Sequence, residues 1–176
     1  REWDAGTFVW TGFDYRGEPT PVNAWPVISS YFGIVDTCGF AKDSFYLMQA
    51  LWTDKPMAHV FPHWNLGKDM IGKKVKVGTY TNGDEAELFL NGKSLGVRKK
   101  GKGEKDRYRL VWEDVKYTPG TLKVVAKKDG KVWATDTVTT TGKPAALTLK
   151  PDRNEINGDG YDLSYVTVAV RDAQGR

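Results

Sequence analysis

Between Met57 and Thr141 apolar and polar residues alternate with a period of two. Val75, Val77 and Thr79 are interleaved with Lys74, Lys76 and Gly78, and Ala86, Leu88 and Leu90 with Glu85, Glu87 and Phe89. That alternation suits antiparallel strands with one face on a core and the other in water. Asn91-Gly92 and Asp129-Gly130 each stand between two such runs, and both dipeptides accept the positive φ angles of a type I′ hairpin turn. With further strands expected near residues 58–61 and 107–112, about seven short strands fill residues 57–141. Their number and turn spacing are those of an immunoglobulin-like β-sandwich.

The pattern on either side is different. Phe8-Val9-Trp10-Thr11-Gly12-Phe13-Asp14-Tyr15 is a β-branched and aromatic run closed by Gly17, Pro19 and Pro21, as a buried strand would be. A loop rich in proline, glycine and aromatics leads to Phe40. From Lys42 to Trp52, Phe45, Met48, Gln49 and Trp52 recur at helical spacing, with Asp43 as a cap candidate. One strand and one helix cannot bury their apolar faces on each other, because even complete domains near 60 residues are marginal. Something outside this segment is expected to cover it.

Thr141-Gly142-Lys143-Pro144 reads as a linker. Beyond it, Ala146–Lys150 and Tyr161–Arg171 form two more alternating strands, with Leu163, Tyr165, Thr167 and Ala169 expected on one face. Two strands are not a domain, so this segment reads as the opening of a second sandwich. The expected organisation is residues 1–56, 57–142 and 143–176, mainly β.

Composition narrows the class. Of 176 residues 40% are hydrophobic and 27% charged, enough for a packed core and too little charge bias for disorder. One cysteine, Cys38, cannot make an internal disulfide. No apolar run approaches the ~18 residues of a membrane span. The start has no basic region followed by an apolar stretch, so no signal peptide is expected, and the lack of an initiator methionine leaves targeting open. Net charge is +4, and its distribution matters more. Residues 1–65 hold 4 basic and 7 acidic side chains (−3), residues 66–145 hold 18 and 10 (+8), and residues 146–176 hold 4 and 5 (−1).

The basic excess peaks in Arg98-Lys99-Lys100-Gly101-Lys102-Gly103-Glu104-Lys105-Asp106-Arg107. This run could neutralise phosphates, but it joins two strands, contains two acids, and lacks interleaved aromatics on which bases could stack. A solvated hairpin tip is the better reading, with no nucleic-acid partner. His59 and His63 are four apart, a zinc spacing only on a helix. Pro62 lies between them and the flanking Val60 and Phe61 suggest a strand, where that spacing is about 13 Å, so no metal site is expected. Asp152-Arg153-Asn154-Glu155-Ile156 begins like a calcium loop but has Ile156 where an oxygen ligand is needed, and reads as a turn. Asp14 and Glu18 are the right residue types for glycoside hydrolysis. Along a strand, however, they stand about 13 Å apart, against about 5 to 5.5 Å for retention and 6.5 to 9.5 Å for inversion.

Phe8-Val9-Trp10-Thr11-Gly12-Phe13-Asp14-Tyr15-Arg16-Gly17-Glu18-Pro19, Trp25-Pro26-Val27-Ile28-Ser29-Ser30-Tyr31-Phe32-Gly33-Ile34-Val35-Asp36 and Trp52-Thr53-Asp54-Lys55-Pro56 together resemble the end of the catalytic barrel in bacterial family 2 glycoside hydrolases, the β-galactosidase group. Tyr80-Thr81-Asn82 and Glu87-Leu88-Phe89-Leu90-Asn91-Gly92-Lys93-Ser94-Leu95-Gly96 resemble the immunoglobulin-like module that follows that barrel. The resemblance implies that residues 1–56 are the last β-strand and α-helix of a TIM barrel, with the rest of the barrel as their partner. It implies a β-linked sugar as substrate of the intact parent, no cofactor, and a bacterial parent whose periplasmic or secreted location is compatible with the family. A sugar-contacting tryptophan falls at Trp10, with a cis bond expected after it at Trp10-Thr11. Asp14 and Tyr15 follow as candidates for the pocket rim. The competing readings are that Trp10 fills the barrel interior and that Asp14 braces the loop. Neither catalytic glutamate motif of the family has a match here, and Glu2 and Glu18 do not replace them. The chain alone is expected to be inactive. The alternative from another class is a non-catalytic carbohydrate-binding or spacer module, which should display several aromatics on one exposed sandwich face; Phe89 stands almost alone.

Overall fold

A computed structural model describes residues 3, 5–6, 8–19, 22, 24–103 and 106–176. Glu2, Pro21, Glu104 and Lys105, named above, lie outside the described residues. Thirteen elements follow one another: β1 (Tyr15–Arg16), β2 (Ser29–Ser30), α1 (Asp43–Trp52), β3 (Ala58–Phe61), a single 3-10 turn (Lys68–Met70), β4 (Lys74–Thr81), β5 (Glu85–Leu90), β6 (Lys93–Lys99), β7 (Leu110–Lys116), β8 (Thr121–Lys128), β9 (Lys131–Thr139), β10 (Pro144–Pro151) and β11 (Val166–Asp172).

The centre of the molecule is the β-sandwich expected from the alternation. β3-β4-β7 form one antiparallel sheet and β6-β5-β8-β9 the other, seven strands over residues 58–139. Alternate residues face inward, as the pleat requires: Ala86 and Leu88 on β5 and Leu122, Val124 and Ala126 on β8 are buried against Val60, Val77, Trp112 and Val115 of the facing sheet. Trp64 and Tyr117 meet edge to face at 5.0 Å beside this core. The Trp64 indole donates to the Thr118 carbonyl at 3.0 Å, so its polar end is satisfied while its ring is buried. Asn91 and Asp129 have φ of 51° and 50°, followed by Gly92 and Gly130 at 80° and 74°, the left-handed pair that a type I′ turn needs. The strand expected at 107–112 starts three residues later, at Leu110, because the preceding chain turns back on itself through Asp106 and Arg107 amides bonded to the Gly103 carbonyl.

The opening segment departs from its expected strand. Phe8–Tyr15 is not a continuous strand: regular pairing is confined to Tyr15–Arg16 against Ser29–Ser30, with single bridges from Val35 to Phe13 and Ala41. A strand needs neighbours to take its backbone hydrogen bonds, and this stretch has one short partner. The helix is as expected within one residue, but Asp43 is not its cap. Lys42 holds that position without a side-chain cap bond, and the Asp43 carboxylate instead accepts from His59 Nε2 at 2.8 Å. No residue of α1 is fully buried. His59 stacks on Tyr46 with centroids 3.8 Å apart and approaches Asp136 at 3.7 Å, tying helix to sandwich. Asn82 adds a second tie: its Nδ2 donates to the Thr53 and Lys55 carbonyls, both at 2.8 Å, and its Oδ1 accepts from Met57 N at 3.2 Å and Trp133 Nε1 at 2.6 Å.

Among the described residues, β10 and β11 pair with each other and with no other strand. β11 starts at Val166 rather than Tyr161, since Asp152 takes the Tyr165 amide and Ser164 hydroxyl, both at 3.0 Å, and Asp159 takes the Tyr161 and Asp162 amides at 2.8 and 2.9 Å. The apolar face is therefore Val166, Val168 and Val170 opposite Pro151, Leu149 and Leu147, and Thr167 and Ala169 lie on the other side of the pleat. Among the described residues no helix is long and apolar enough to cross a membrane.

Candidate functional site

The three candidate residues leave one short stretch in different directions. Asp14 turns inward and is 7% exposed. Its Oδ1 accepts from Gly33 N at 2.8 Å and from Lys42 Nζ at 2.7 Å, and Lys42 Nζ also donates to the Tyr31 carbonyl at 2.8 Å. A buried carboxylate needs such donors, since an unpaired one would cost several kcal/mol. The clamp joins residue 14, the loop at 31–33 and the start of α1. Gly33 makes it possible, because a Cβ there would stand 2.2 Å from Asp14 N and 2.3 Å from the Phe13 carbonyl carbon.

Trp10 and Tyr15 turn the other way. Trp10 is 74% exposed and the Trp10–Thr11 peptide is cis. The Trp10 indole N–H donates to Tyr15 Oη at 3.3 Å, and Tyr15 Oη donates to a Glu18 carboxylate oxygen. Tyr15 also meets Phe32 edge to face at 5.9 Å. Trp10, Tyr15 and Glu18 thus form one polar chain whose outer end is a flat, accessible indole. Asp14 and Glu18, the carboxylate pair weighed from the sequence, are bound to different partners. Sequence reasoning set Glu18 aside as a catalytic group and did not find its contact with Tyr15. The three-residue spacing is uninformative unless the backbone turns, and the turn rests on positive φ at Gly17 (96°) and Glu18 (41°).

Large apolar side chains of the opening segment are uncovered: Phe8, Phe13, Trp25, Tyr31, Phe40 and Trp52 are all more than half exposed. His59 lies on β3 and His63 in the loop after it, and no group of three or more metal-binding side chains occurs among the described residues.

A sequence profile of the family described as "Domain of unknown function (DUF4982)" matches residues 72–134, the span from β4 into β9. A β-galactosidase of Bacteroides ovatus is 51% identical over 172 residues, covering 97% of this chain and 19% of that protein. A β-glucuronidase of Formosa agariphila is 31% identical over 150 residues, covering 82% of this chain and 14% of that protein. Among solved structures, a glycosyl hydrolase family 2 member from Bacteroides cellulosilyticus superposes with a TM-score of 0.87 at 33% identity, covering 96% of this chain and 26% of that one. A β-glycosidase from Bacteroides vulgatus gives 0.81 at 34% identity, covering 93% and 20%. This chain therefore spans a fifth or less of these two curated relatives' length. With the sandwich, the aromatic opening segment and these likenesses in agreement, the chain belongs to family 2 of the glycoside hydrolases and corresponds to part of such an enzyme.

Proposed function

We propose that this chain is the C-terminal part of a β-galactosidase-like retaining glycosidase, in which it supplies one wall of the sugar pocket and an accessory sandwich. On this reading residues 1–56 complete the catalytic barrel, residues 57–142 form the sandwich and residues 143–176 begin another. The observation that carries it is the opening segment: its buried Asp14 carboxylate is satisfied internally by Gly33 and Lys42, while large apolar groups of the segment, Trp10 among them, are left exposed. A segment with that division is built to be covered by more protein, and a barrel supplies the cover.

The geometry supports a role for each candidate residue on this reading. The Trp10 ring offers a flat apolar surface for the carbon-bound hydrogens of a pyranose, with its N–H turned to Tyr15 rather than to the sugar. Tyr15 stands on the rim, and Asp14 contributes through the clamp that holds the loop. The reaction itself takes two carboxyl groups about 5 to 5.5 Å apart, one forming a covalent glycosyl-enzyme and the other giving and then removing a proton. In this reading both come from the rest of the enzyme.

The isolated chain is expected to show no turnover of a chromogenic β-galactoside; hydrolysis that disappears in Glu18→Gln would refute the reading. In the intact enzyme, Trp10→Ala is expected to raise KM about tenfold, a loss of ~1.4 kcal/mol, as removal of ground-state binding does. An unchanged KM would mean that Trp10 fills the interior instead.

A further inference from the structure

The open side of the sandwich takes no part in that reading. β6 and β7 are edge strands of the two sheets, and no ladder joins them. Between them lies a groove of about 780 Å³, within the usual size of small-molecule sites. Its deeper lining is apolar, with Leu95, Val111 and Val115, and its outer lining carries Lys93, Arg98, Arg109 and Lys116. The basic run noted in the sequence thus places its first residue, Arg98, on this groove, joined by Arg109 two residues past its end.

The charges there do not cancel. Glu113 is held by Lys76 and Asp114 by Lys74, each at 2.9 Å. Among the described residues, none of the four outer cations has a carboxylate partner, and Asp106 is the one lining acid outside an ion pair. Cations gathered beside low-dielectric walls raise the local concentration of anions.

Other occupants fit less well. An added β-strand would need free backbone groups on the edges, but the Gly96 carbonyl accepts from Trp112 Nε1 at 3.1 Å and the Val111 carbonyl from Arg98 Nε at 3.2 Å. A nucleic acid or a neutral glycan would want an exposed aromatic platform, and Trp112, the aromatic of the lining, is 3% exposed.

We propose that this groove binds a small organic anion, with an apolar body on the Leu95, Val111 and Val115 surface and a carboxylate or phosphate head among Lys93, Arg98, Arg109 and Lys116. The proposal stands independently of the sugar-wall reading.

The test is an amide NMR titration of the 176-residue chain with phenyl phosphate, benzoate, inorganic phosphate and benzyl alcohol. The expected result is that at least one of the two aromatic anions shifts amides of β6 and β7, more tightly than inorganic phosphate or benzyl alcohol does; which of the two binds better identifies the head group. Binding should weaken several-fold when salt rises from ~20 to ~200 mM, as screening shortens the reach of exposed charges. Arg109→Ala with Lys116→Ala should raise Kd about tenfold while Lys131→Ala, at the start of β9, leaves it unchanged. Should the double variant unfold, Arg109→Gln and the salt series give the same discrimination. The proposal fails if neither aromatic anion perturbs β6 and β7, if benzyl alcohol or inorganic phosphate binds as tightly as the better aromatic anion, or if affinity ignores both salt and the charge substitutions.

Discussion

Gly33 decides whether the opening loop can close. Its backbone passes so near Asp14 that a Cβ would stand 2.2 Å from a main-chain nitrogen, and backbone cannot swing aside as a long side chain can. Gly33→Ala is expected to break the Asp14–Lys42 clamp at a local cost of about 1–3 kcal/mol, the usual price of overpacking. Amide exchange should quicken across residues 11–42 and stay unchanged in the sandwich. Thr79 presents the opposite case. It is fully buried on β4, and its hydroxyl has no hydrogen-bond partner among the described residues. Burying such a group is unfavourable, whereas valine has the same shape without the polar atom. Thr79→Val should raise the denaturant midpoint by the equivalent of about 1 kcal/mol; a lower midpoint would show that the hydroxyl is satisfied after all.

The elements differ in what holds them. β10 and β11 have no apolar cover, so their junction with the sandwich leans on Asp172. Its carboxylate accepts from Gly142 N at 2.7 Å, from Arg176 N at 2.9 Å and Arg176 Nε at 3.0 Å, and from Gln174 N at 2.9 Å. The Gly142 amide first, then the Arg176 amide, its guanidinium and the Gln174 amide, hold this carboxyl well below the ordinary carboxylate range. A depressed folded-state pKa stabilises the charged form. The contribution is therefore complete above about pH 4, the unfolded value, and is lost as pH falls through the lower folded value. The Gly142 and Gln174 amide resonances should stay constant from neutral pH down to about 4 and move only below it. Movement centred at pH 4 would mean that the network does not form. Asp172→Asn should remove that titration and loosen the Gly142 junction at neutral pH.

In the whole molecule, the packed core and the candidate surface are kept apart. The contiguous core runs from Val60 to Ala126 with Ala58 and Val138 packed at its margins, all inside residues 57–142, while the candidate sugar surface lies on residues 8–52. A chain trimmed to residues 57–142 is thus expected to unfold within a few degrees of the 176-residue chain, because the contiguous core lies inside it. A fall of more than about 10 °C, a few kcal/mol for a domain of this size, would mean that the outer segments carry part of the core.

Alternation and the Asn-Gly and Asp-Gly turns determined the seven central strands, because each strand has a buried face that a one-residue slip would expose, and the helical spacing from Phe45 to Trp52 determined α1. The family was legible in the aromatic strings, and so was the cis bond after Trp10. What those strings left open was direction. The choice between Asp14 as rim and Asp14 as brace depended on Lys42, 28 residues away, and the chain from Trp10 through Tyr15 to Glu18 depended on a turn through left-handed backbone. The strand expected over residues 8–15 depended on neighbours that local pattern does not contain. The start of β11 was moved by Asp152 and Asp159, whose carboxylates took amides that alternation had assigned to a ladder. Period and turn chemistry act between residues close in sequence, so the sequence by itself determined the central strands, the helix and the sandwich. Which groups meet across long separations is decided by packing and by the need of each buried polar atom for a partner, and only the tertiary structure decided that.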